Sequence, residues 1–211
     1  MATRRRTHRA SETSKRAILE AVLAQAVEAG YEGTTMADVA RAAGLPIGSV
    51  YWHFQNKEQL FVELLDYCFE VWKQTNASFG SMRERLRHSI SESAAASALL
   101  AEPAAAFWSI GLVFALEQRL QDNLARQRYL AIRKEMFEVA VARARASYPG
   151  APEDVVAELA VDMAVMGRAL TDGFRVAAAA GDDIDFVRYA ELAADALESL
   201  VATRLKEFAH D

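Results

Sequence analysis

The residues of this chain best suited to chemistry lie in one short stretch, AGLPIGSVYWHFQNKEQL, residues 43–60. The aromatic residues Tyr51, Trp52 and Phe54 surround His53 there, and Lys57 follows. A core helix needs bulky side chains without polar ones between them, and a surface loop needs neither. Aromatic residues interleaved with cationic and hydrogen-bonding ones suit a surface that contacts nucleic acid. We therefore interpret this stretch as a candidate DNA contact.

The rest of the sequence holds no pattern typical of a catalytic or metal site. The four histidines are not spaced with cysteines or carboxylates as zinc ligands are. Nucleophile elbow, phosphate-binding loop and dinucleotide fingerprint are all absent from the sequence. The single cysteine, Cys68, is typical of a small buried side chain, with a redox switch as the less favoured alternative. We therefore expect a protein that is not an enzyme and has neither metal nor cofactor.

Positive charge is concentrated at the start of the chain. Residues 1–16 hold six arginines and lysines against one glutamate, whereas the whole chain has a net charge of −5. A basic segment on an acidic body fits a nucleic-acid-binding arm, and a solvated tail is the alternative. Arg4, Arg5 and Arg6 are candidates for a narrow, A·T-rich minor groove or for nonspecific attraction alone. No apolar h-region follows the basic start, and the longest apolar run, residues 103–116, is too short to cross a bilayer, so we expect a cytoplasmic protein.

The elements that must position these residues are helices. The composition is rich in helix formers and shows no clear strand-like alternation, so we predict an all-α fold of about nine helices. Glycines, prolines and capping residues predict the boundaries. The predicted helices cover about 12–29, 35–44, 46–54, 57–77, 82–101, 103–120, 122–147, 153–179 and 184–208. The predicted organisation is a flexible basic arm at 1–11, a head at 12–72 and a larger body at 73–211.

Residues 35–54 fit a helix-turn-helix. Two helices that meet steeply across a tight turn need a small residue in the first helix, which Ala40 supplies. Four residues later the turn favours a residue that tolerates positive φ, which is Gly44. Six residues after that, the second helix must bury an aliphatic side chain, which is Val50. The remaining apolar contacts are expected from Val39, Ala43 and Leu45.

With these residues the sequence resembles the TetR/AcrR family of transcriptional regulators. The resemblance is carried by TTMADVARAAGLPIGSVYWHFQNKEQL, residues 34–60, and extends over about 12–72. A second segment, ALTDGF at 169–174, is similar to the family's penultimate helix. The resemblance implies a three-helix head that binds DNA and a helical body that binds an effector and a second subunit.

The same resemblance places the second helix of the motif in the major groove, which accommodates an α-helix. Gly48 then leaves room for close approach to DNA, and Ile47, Ser49 and Trp52 lie near base edges. For Trp52, a wedge between helices is an equal alternative.

Two residues depart from the family's pattern. Pro46 stands where a capping serine is usual, and it offers no side-chain hydrogen bond. Ile47 stands where a polar residue is common, so readout there is expected to be partly apolar, through a thymine methyl.

Phosphate contacts are expected from four further residues. Tyr51 and His53 are similar to the family's phosphate-contacting pair, and Thr35 and Lys57 lie at helix starts whose N–H groups also suit phosphate. The alternatives are packing for Tyr51, a capping or surface role for His53 and a solvated Lys57. Phe54 and Leu60 are assigned to the core of the head.

The last two predicted helices are expected to form a dimer interface. The penultimate helix is apolar almost all round and needs burial on more than one face, while a head that covers one half-site requires a second subunit. The alternative is a monomer with a thick core. The candidate interface residues follow spacings of three and four: Val156, Leu159, Leu170, Phe174, Tyr189, Ala193, Ala196 and Leu200.

An effector pocket follows from the resemblance alone. Its candidate residues are aromatic or methionine, and each also suits a plain core. They are Tyr67, Trp72, Phe79, Phe107, Trp108, Phe114, Met163 and Met166. The prediction is a dimeric repressor of a palindromic operator, released by a small apolar or aromatic effector. The alternative is a helical ligand-binding or adaptor protein without specific DNA binding.

Overall fold

The structure, a computed structural model, describes residues 2–76, 80–99 and 102–208, with side chains described within 11–74, 80–91 and 102–207. In these ranges the chain forms nine α-helices and one 3-10 turn, Gln118–Leu120, and no strand, which confirms the all-α prediction. The helices are α1 Ala2–Gly33, α2 Met36–Ala42, α3 Ile47–His53, α4 Lys57–Asn76, α5 Met82–Leu99, α6 Pro103–Leu116, α7 Leu124–Ala146, α8 Glu153–Ala180 and α9 Phe186–Phe208.

Helix α1 begins earlier than the sequence predicted. Its helical backbone starts at Ala2 rather than near Glu12, because residues 2–10 contain no glycine or proline and include good helix formers. Gly30, the predicted stop, has φ +67° and ψ −173°, which interrupts the helical geometry near the end of α1. The side chains of the predicted basic arm lie outside those described.

The chain divides into two compact units. The first comprises Met1–Thr75 and Leu99–Leu130, and the second comprises Asn76–Ala98 and Ala131–Asp211. The predicted head therefore shares its unit with α6 and the first residues of α7, which were assigned to the body. Helix α1 packs against α2, α3 and α6 within this unit.

Aromatic rings from α4, α6 and α7 fill part of the first unit. The ring centroid of Phe107 lies 5.5 Å from that of Phe69, 5.0 Å from that of Trp108 and 5.6 Å from that of Tyr129. Trp72 adds an edge contact with Trp108 at 5.6 Å. Such offset and edge-to-face pairs stabilise a core beyond the area that they bury. We call these five residues the aromatic cluster.

The head buries further apolar side chains. Phe54 and Leu60 are almost completely buried there, as predicted. Cys68 is buried as well, and burial raises the pKa of its thiol to about 12. A thiol with so high a pKa is protonated near neutral pH and is a poor nucleophile, which supports the structural interpretation of this cysteine.

The second unit is held by apolar contacts among α5, α7, α8 and α9. One cluster joins α5 to α9 and consists of Leu86, Ile90, Ala190, Ala193, Ala194 and Leu197. A second cluster joins α7, α8 and α9 and consists of Ala144, Leu159, Ala160, Met163 and Val201. The small alanines of α9 let neighbouring helices approach closely.

Membrane spans and metal clusters are both absent from the described residues. None of the helices there combines the length and the apolar composition needed to cross a membrane. Nor do these residues bring together three histidine, cysteine, aspartate or glutamate side chains as a metal ion would require.

Gly111 of α6 is expected to be intolerant of a side chain. A Cβ added there would lie 2.0 Å from Cε2 of Tyr129, whose side chain is completely buried and has little room to move. Overpacking of this kind costs about 1–3 kcal/mol, which exceeds the roughly 1 kcal/mol that alanine gains over glycine in a helix. We predict that Gly111→Ala lowers the free energy of unfolding, measured by urea denaturation.

The matched control is Gly167→Ala in α8, where an added Cβ meets nothing within 4 Å. It should raise the free energy of unfolding by up to about 1 kcal/mol through helix propensity alone. Equal stabilisation by both substitutions would contradict the close packing of α6 on Tyr129.

Candidate nucleic-acid interface

The turn between α2 and α3 is built on Gly44. Its φ of +66° is the left-handed conformation that favours glycine. The N–H of Gly44 donates to the carbonyl of Arg41 at 3.2 Å, and the N–H of Leu45 donates to the carbonyl of Ala40 at 3.0 Å. These two hydrogen bonds form a Schellman motif, which ends α2 and reverses the chain. The role predicted for Gly44 is confirmed.

Burial of three small apolar side chains fixes the angle between the two helices. Val39 and Val50 have no exposed surface, and Ala40 has almost none, so α2 and α3 meet closely at these residues. Helix α1 packs against the same pair. The prediction that Ala40 allows close approach and that Val50 is buried is confirmed, while Leu45 is half-buried.

Helix α3 begins without a side-chain cap, as its proline predicts. Pro46 is the N-cap residue, and only its carbonyl takes part, accepting a hydrogen bond from the N–H of Ser49 at 2.9 Å. The helix ends at His53, and the Phe54 N–H donates to the carbonyl of Val50 at 2.8 Å. Because α3 is only seven residues long, its orientation depends on the burial of Val50 and Phe54 rather than on its own stability.

The opposite face of α3 is apolar and exposed. Ile47, Tyr51 and Trp52 are 47%, 51% and 73% exposed, and Gly48 lies among them. Spacings of one, three and four residues put all four on one face of the helix. Trp52 does not wedge between helices, so that alternative was wrong. A Cβ added at Gly48 would meet nothing within 4 Å, so packing within the described chain does not require glycine there.

Ser49 and His53 lie at the edges of this exposed face and are partly buried. The His53 ring lies 4.6 Å from the indole ring of Trp52 in an edge contact. Burial, and then the positive charge of Lys15, lower the pKa of His53, while Glu12 acts in the opposite direction. Because an ordinary histidine has a pKa of about 6.5, His53 is neutral at pH 7 in the free protein.

Thr35 caps α2. Its Oγ1 accepts from the N–H of Asp38 at 3.1 Å, which caps the helix, and donates to Oδ2 of Asp38 at 2.6 Å. The Thr35 hydrogen bond lowers the pKa of Asp38, and Arg41 pairs with the same carboxylate at 2.8 Å. The hydroxyl proton of Thr35 is therefore already used within the chain.

Lys57 is held by a residue that the sequence did not single out. Its Nζ donates to the carbonyl of Tyr31 at 3.0 Å and lies 4.2 Å from the centroid of the Tyr31 ring. A protonated lysine has three N–H donors, so this arrangement leaves two for a phosphate. Asn56 caps the helix that Lys57 begins, because its Oδ1 accepts from the N–H of Gln59 at 2.8 Å.

Tyr31 itself is fixed by residues distant in sequence. Its ring makes edge contacts with Phe61 at 4.8 Å and with Phe114 of α6 at 5.2 Å. Its hydroxyl accepts a hydrogen bond from Nδ2 of Asn123 at 2.9 Å. Burial raises the pKa of Tyr31, and the Asn123 hydrogen bond opposes that change. The only signal in the sequence was an aromatic residue directly after the Gly30 break, and nothing there pointed to Asn123.

Some predicted contacts fall outside the described side chains. The side chains of Arg4, Arg5 and Arg6 and the whole of Phe79 belong to this group. Their predicted roles stay predictions.

The effector candidates are distributed between the two units. Trp72, Phe107 and Trp108 lie in the aromatic cluster, and partly buried Tyr67 lies on α4 of the same unit. Phe114 contacts Tyr31 and Phe61 instead. In the second unit Met163 is a core residue, and Met166 is 41% exposed.

Part of the predicted dimer interface was wrong. Val156, Leu159 and Ala193 are buried within the second unit, so their side chains cannot meet a second subunit. Leu170 and Phe174 are partly buried against the α5–α9 cluster, and Leu200 is also partly buried. Tyr189 and Ala196 are exposed. The error arose because a helix that is apolar all round does not reveal by spacing which face meets which neighbour.

Comparison with known proteins identifies the head. The family model "Bacterial regulatory proteins, tetR family" matches residues 18–64, which include the whole helix-turn-helix. Over these residues the chain is similar to the DNA-binding head of TetR-family regulators. The HTH-type transcriptional regulator TtgR of Pseudomonas putida is 39% identical over 67 residues, 32% of either chain. The HTH-type transcriptional repressor KstR2 of Mycobacterium tuberculosis is 36% identical over 74 residues, 33% of this chain and 37% of its own.

These sequence matches span about a third of each relative, so they concern the head of this chain. The fold extends further. The crystal structure of NalD, the secondary repressor of the MexAB-OprM multidrug efflux pump in Pseudomonas aeruginosa, matches with a TM-score of 0.62 at 25% identity. This match covers 90% of the present chain and 96% of NalD.

Two glycines of the head should respond differently to alanine. Gly44→Ala forces a side chain into the left-handed region and should lower the free energy of unfolding by about 1–2 kcal/mol. Gly48→Ala, where the added Cβ meets open space, should leave it unchanged or slightly higher. Thermal or urea unfolding followed by circular dichroism measures both. Equal decreases would contradict the turn geometry.

Proposed function

We propose that this chain is a DNA-binding transcriptional regulator that represses by binding a palindromic operator as a homodimer. The observation that carries the proposal is the exposed face of α3, with Ile47, Gly48, Tyr51 and Trp52 facing away from the chain's own packing. A helix presented in this way by a helix-turn-helix fits the major groove. KstR2 and NalD are both repressors by name, which supports repression as the mode of action proposed here.

A second subunit follows from the geometry of recognition. One helix-turn-helix covers one half-site, so specific binding requires two heads at a fixed spacing. Exposed apolar residues along α8 and α9 support this part of the proposal, because contiguous exposed apolar surface is typical of an interface. They are Val161, Val165, Val176, Tyr189 and Leu192, and exposed Ala196 continues the stripe on α9.

The effector is proposed to be small and apolar or aromatic. The aromatic cluster supports this chemistry, since binding sites for such molecules are lined mainly by apolar and aromatic side chains. Helix α4 carries both Lys57, at the proposed DNA contact, and Trp72, in the cluster. A ligand alters DNA affinity only through different affinities for the two states of the protein, and α4 is the proposed connection between them.

The first test is DNA binding itself, measured by fluorescence anisotropy across a salt series on the DNA upstream of the chain's own gene. Nanomolar binding that outcompetes random DNA and weakens steeply with salt is expected for a specific regulator. Replacing both Tyr51 and Lys57 by alanine should weaken binding by at least about ten-thousandfold, because it removes four phosphate hydrogen bonds per dimer, each worth about 1.5–3 kcal/mol. The salt slope should fall by about one unit for each lysine–phosphate pair that the substitution removes.

Lys134→Ala is the control, since it removes an exposed lysine on α7. It should leave specific binding intact. Size-exclusion chromatography with light scattering should give the same dimer mass for wild type and for the Tyr51→Ala, Lys57→Ala protein. A double variant that still binds the operator as tightly as wild type would overturn the assignment of α3 and Lys57 to DNA.

DNA affinity should also rise as the pH falls. His53 is neutral in the free protein because burial and Lys15 lower its pKa. A phosphate beside it would raise that pKa, so binding takes up a proton. The gain in affinity begins as the pH drops through the raised pKa and is complete below the lowered pKa. Each pH unit between the two pKa values is worth about a factor of ten for each His53, or about a hundredfold for the two in a dimer. The measurement is anisotropy between about pH 8 and about pH 5.5, a range that brackets the ordinary histidine pKa.

His53→Gln should remove this pH dependence and keep the affinity seen at high pH, because glutamine stays neutral throughout. A pH dependence that is the same in both proteins would assign the proton uptake to another group.

A further inference from the structure

The recognition helix lacks the residues that usually read bases. Helix α3, IGSVYWH, contains no arginine, lysine, asparagine, glutamine, aspartate or glutamate. In the major groove, arginine and lysine read guanine with paired hydrogen bonds, asparagine and glutamine read adenine, and the acidic residues accept from cytosine. None of these contacts is open to α3.

What α3 offers instead is apolar surface. Ile47 and Trp52 are 47% and 73% exposed, and neither is covered by another part of the described chain. Exposed apolar surface of this size lowers stability in water unless a partner covers it. The polar side-chain atoms on this part of α3 are the Ser49 and Tyr51 hydroxyls, the Trp52 indole N–H and the His53 ring nitrogens, and none of these groups offers the side-by-side pair of an amide, guanidinium or carboxylate.

Three polar side chains on neighbouring elements already bond within the chain. Thr35 and Arg41 both bond to the carboxylate of Asp38. Asn56 accepts the N–H of Gln59 as the cap of α4.

We propose that this head recognises its operator mainly through the C5-methyl groups of thymine. The inference rests on the proposed function. The thymine methyl is the apolar group that base pairs display in the major groove, and it fits an exposed Ile47 and Trp52. Ile47 covers one methyl, and Trp52, more than one helical turn further along the same face, covers another. The half-site is accordingly A·T-containing at these positions, and Tyr51 and Lys57 position the helix without reading sequence.

The test begins with the full-length protein and a library of random-sequence DNA duplexes. Rounds of binding and amplification define the enriched site. In that duplex each thymine of one half-site is replaced singly by deoxyuridine, which removes only the C5-methyl and keeps all hydrogen-bonding groups. Affinity is then measured by competition anisotropy.

At least one replacement should weaken binding by about fourfold, the effect of one buried methyl-sized group at about 0.8 kcal/mol. Ile47→Ala should bind the thymine and deoxyuridine duplexes equally at that position, and Trp52→Ala should do so at a second one. Leu116→Ala, which truncates a 74% exposed leucine on α6, is the matched control and should retain the difference between the two duplexes.

Two results would overturn the inference, and only the second would also overturn the proposed function. If every deoxyuridine duplex binds as tightly as its thymine parent, or if Ile47→Ala and Trp52→Ala keep the wild-type preference for the methyl group, methyl readout is wrong while specific DNA binding stands. If the library yields no enriched sequence, the proposed function is wrong and the inference fails with it.

Discussion

The left-handed backbone at Gly44 is the constraint on which the head depends. It ends α2 through two hydrogen bonds and turns the chain so that Val50 enters the core formed with Val39 and Ala40. Once Val50 is buried, the helical period leaves the opposite side of α3 in solvent. A seven-residue helix has too few internal hydrogen bonds to hold such an orientation by itself, so tertiary packing supplies the rigidity that recognition requires.

Features decided within about ten residues were predictable from the sequence. The cap at Thr35, the cap at Asn56 and the glycine turn all depend on hydrogen bonds between near neighbours. The buried positions of the motif follow from the same short range, because helical periodicity alone separates Val50 from Tyr51 and Trp52. This is why the exposed face of α3 was correctly expected, apart from the alternative of a buried Trp52.

Features decided by distant contacts were not predictable. Leu159 and Ala193 were assigned to a dimer because their helices are apolar on several faces, and spacing alone does not say which face meets the chain's own core. The partner of Lys57 was missed for a related reason. Tyr31 is 26 residues away from Lys57 and 92 residues away from Asn123, and no pattern in one sequence relates such positions.

Tyr31 gives the proposed DNA contact a physical dependence on the rest of its unit. Its carbonyl and ring hold the Lys57 ammonium, while Phe114 and Asn123 hold the ring and the hydroxyl. The ammonium position is therefore set by α6 and by the segment before α7 as well as by the head. A change in α6 or in the segment before α7 moves the Lys57 ammonium relative to a bound phosphate only if it stabilises a second arrangement of Tyr31. A ligand can therefore regulate DNA binding through Lys57 only if it binds the two packings of Tyr31 with different affinities, however tightly it binds overall.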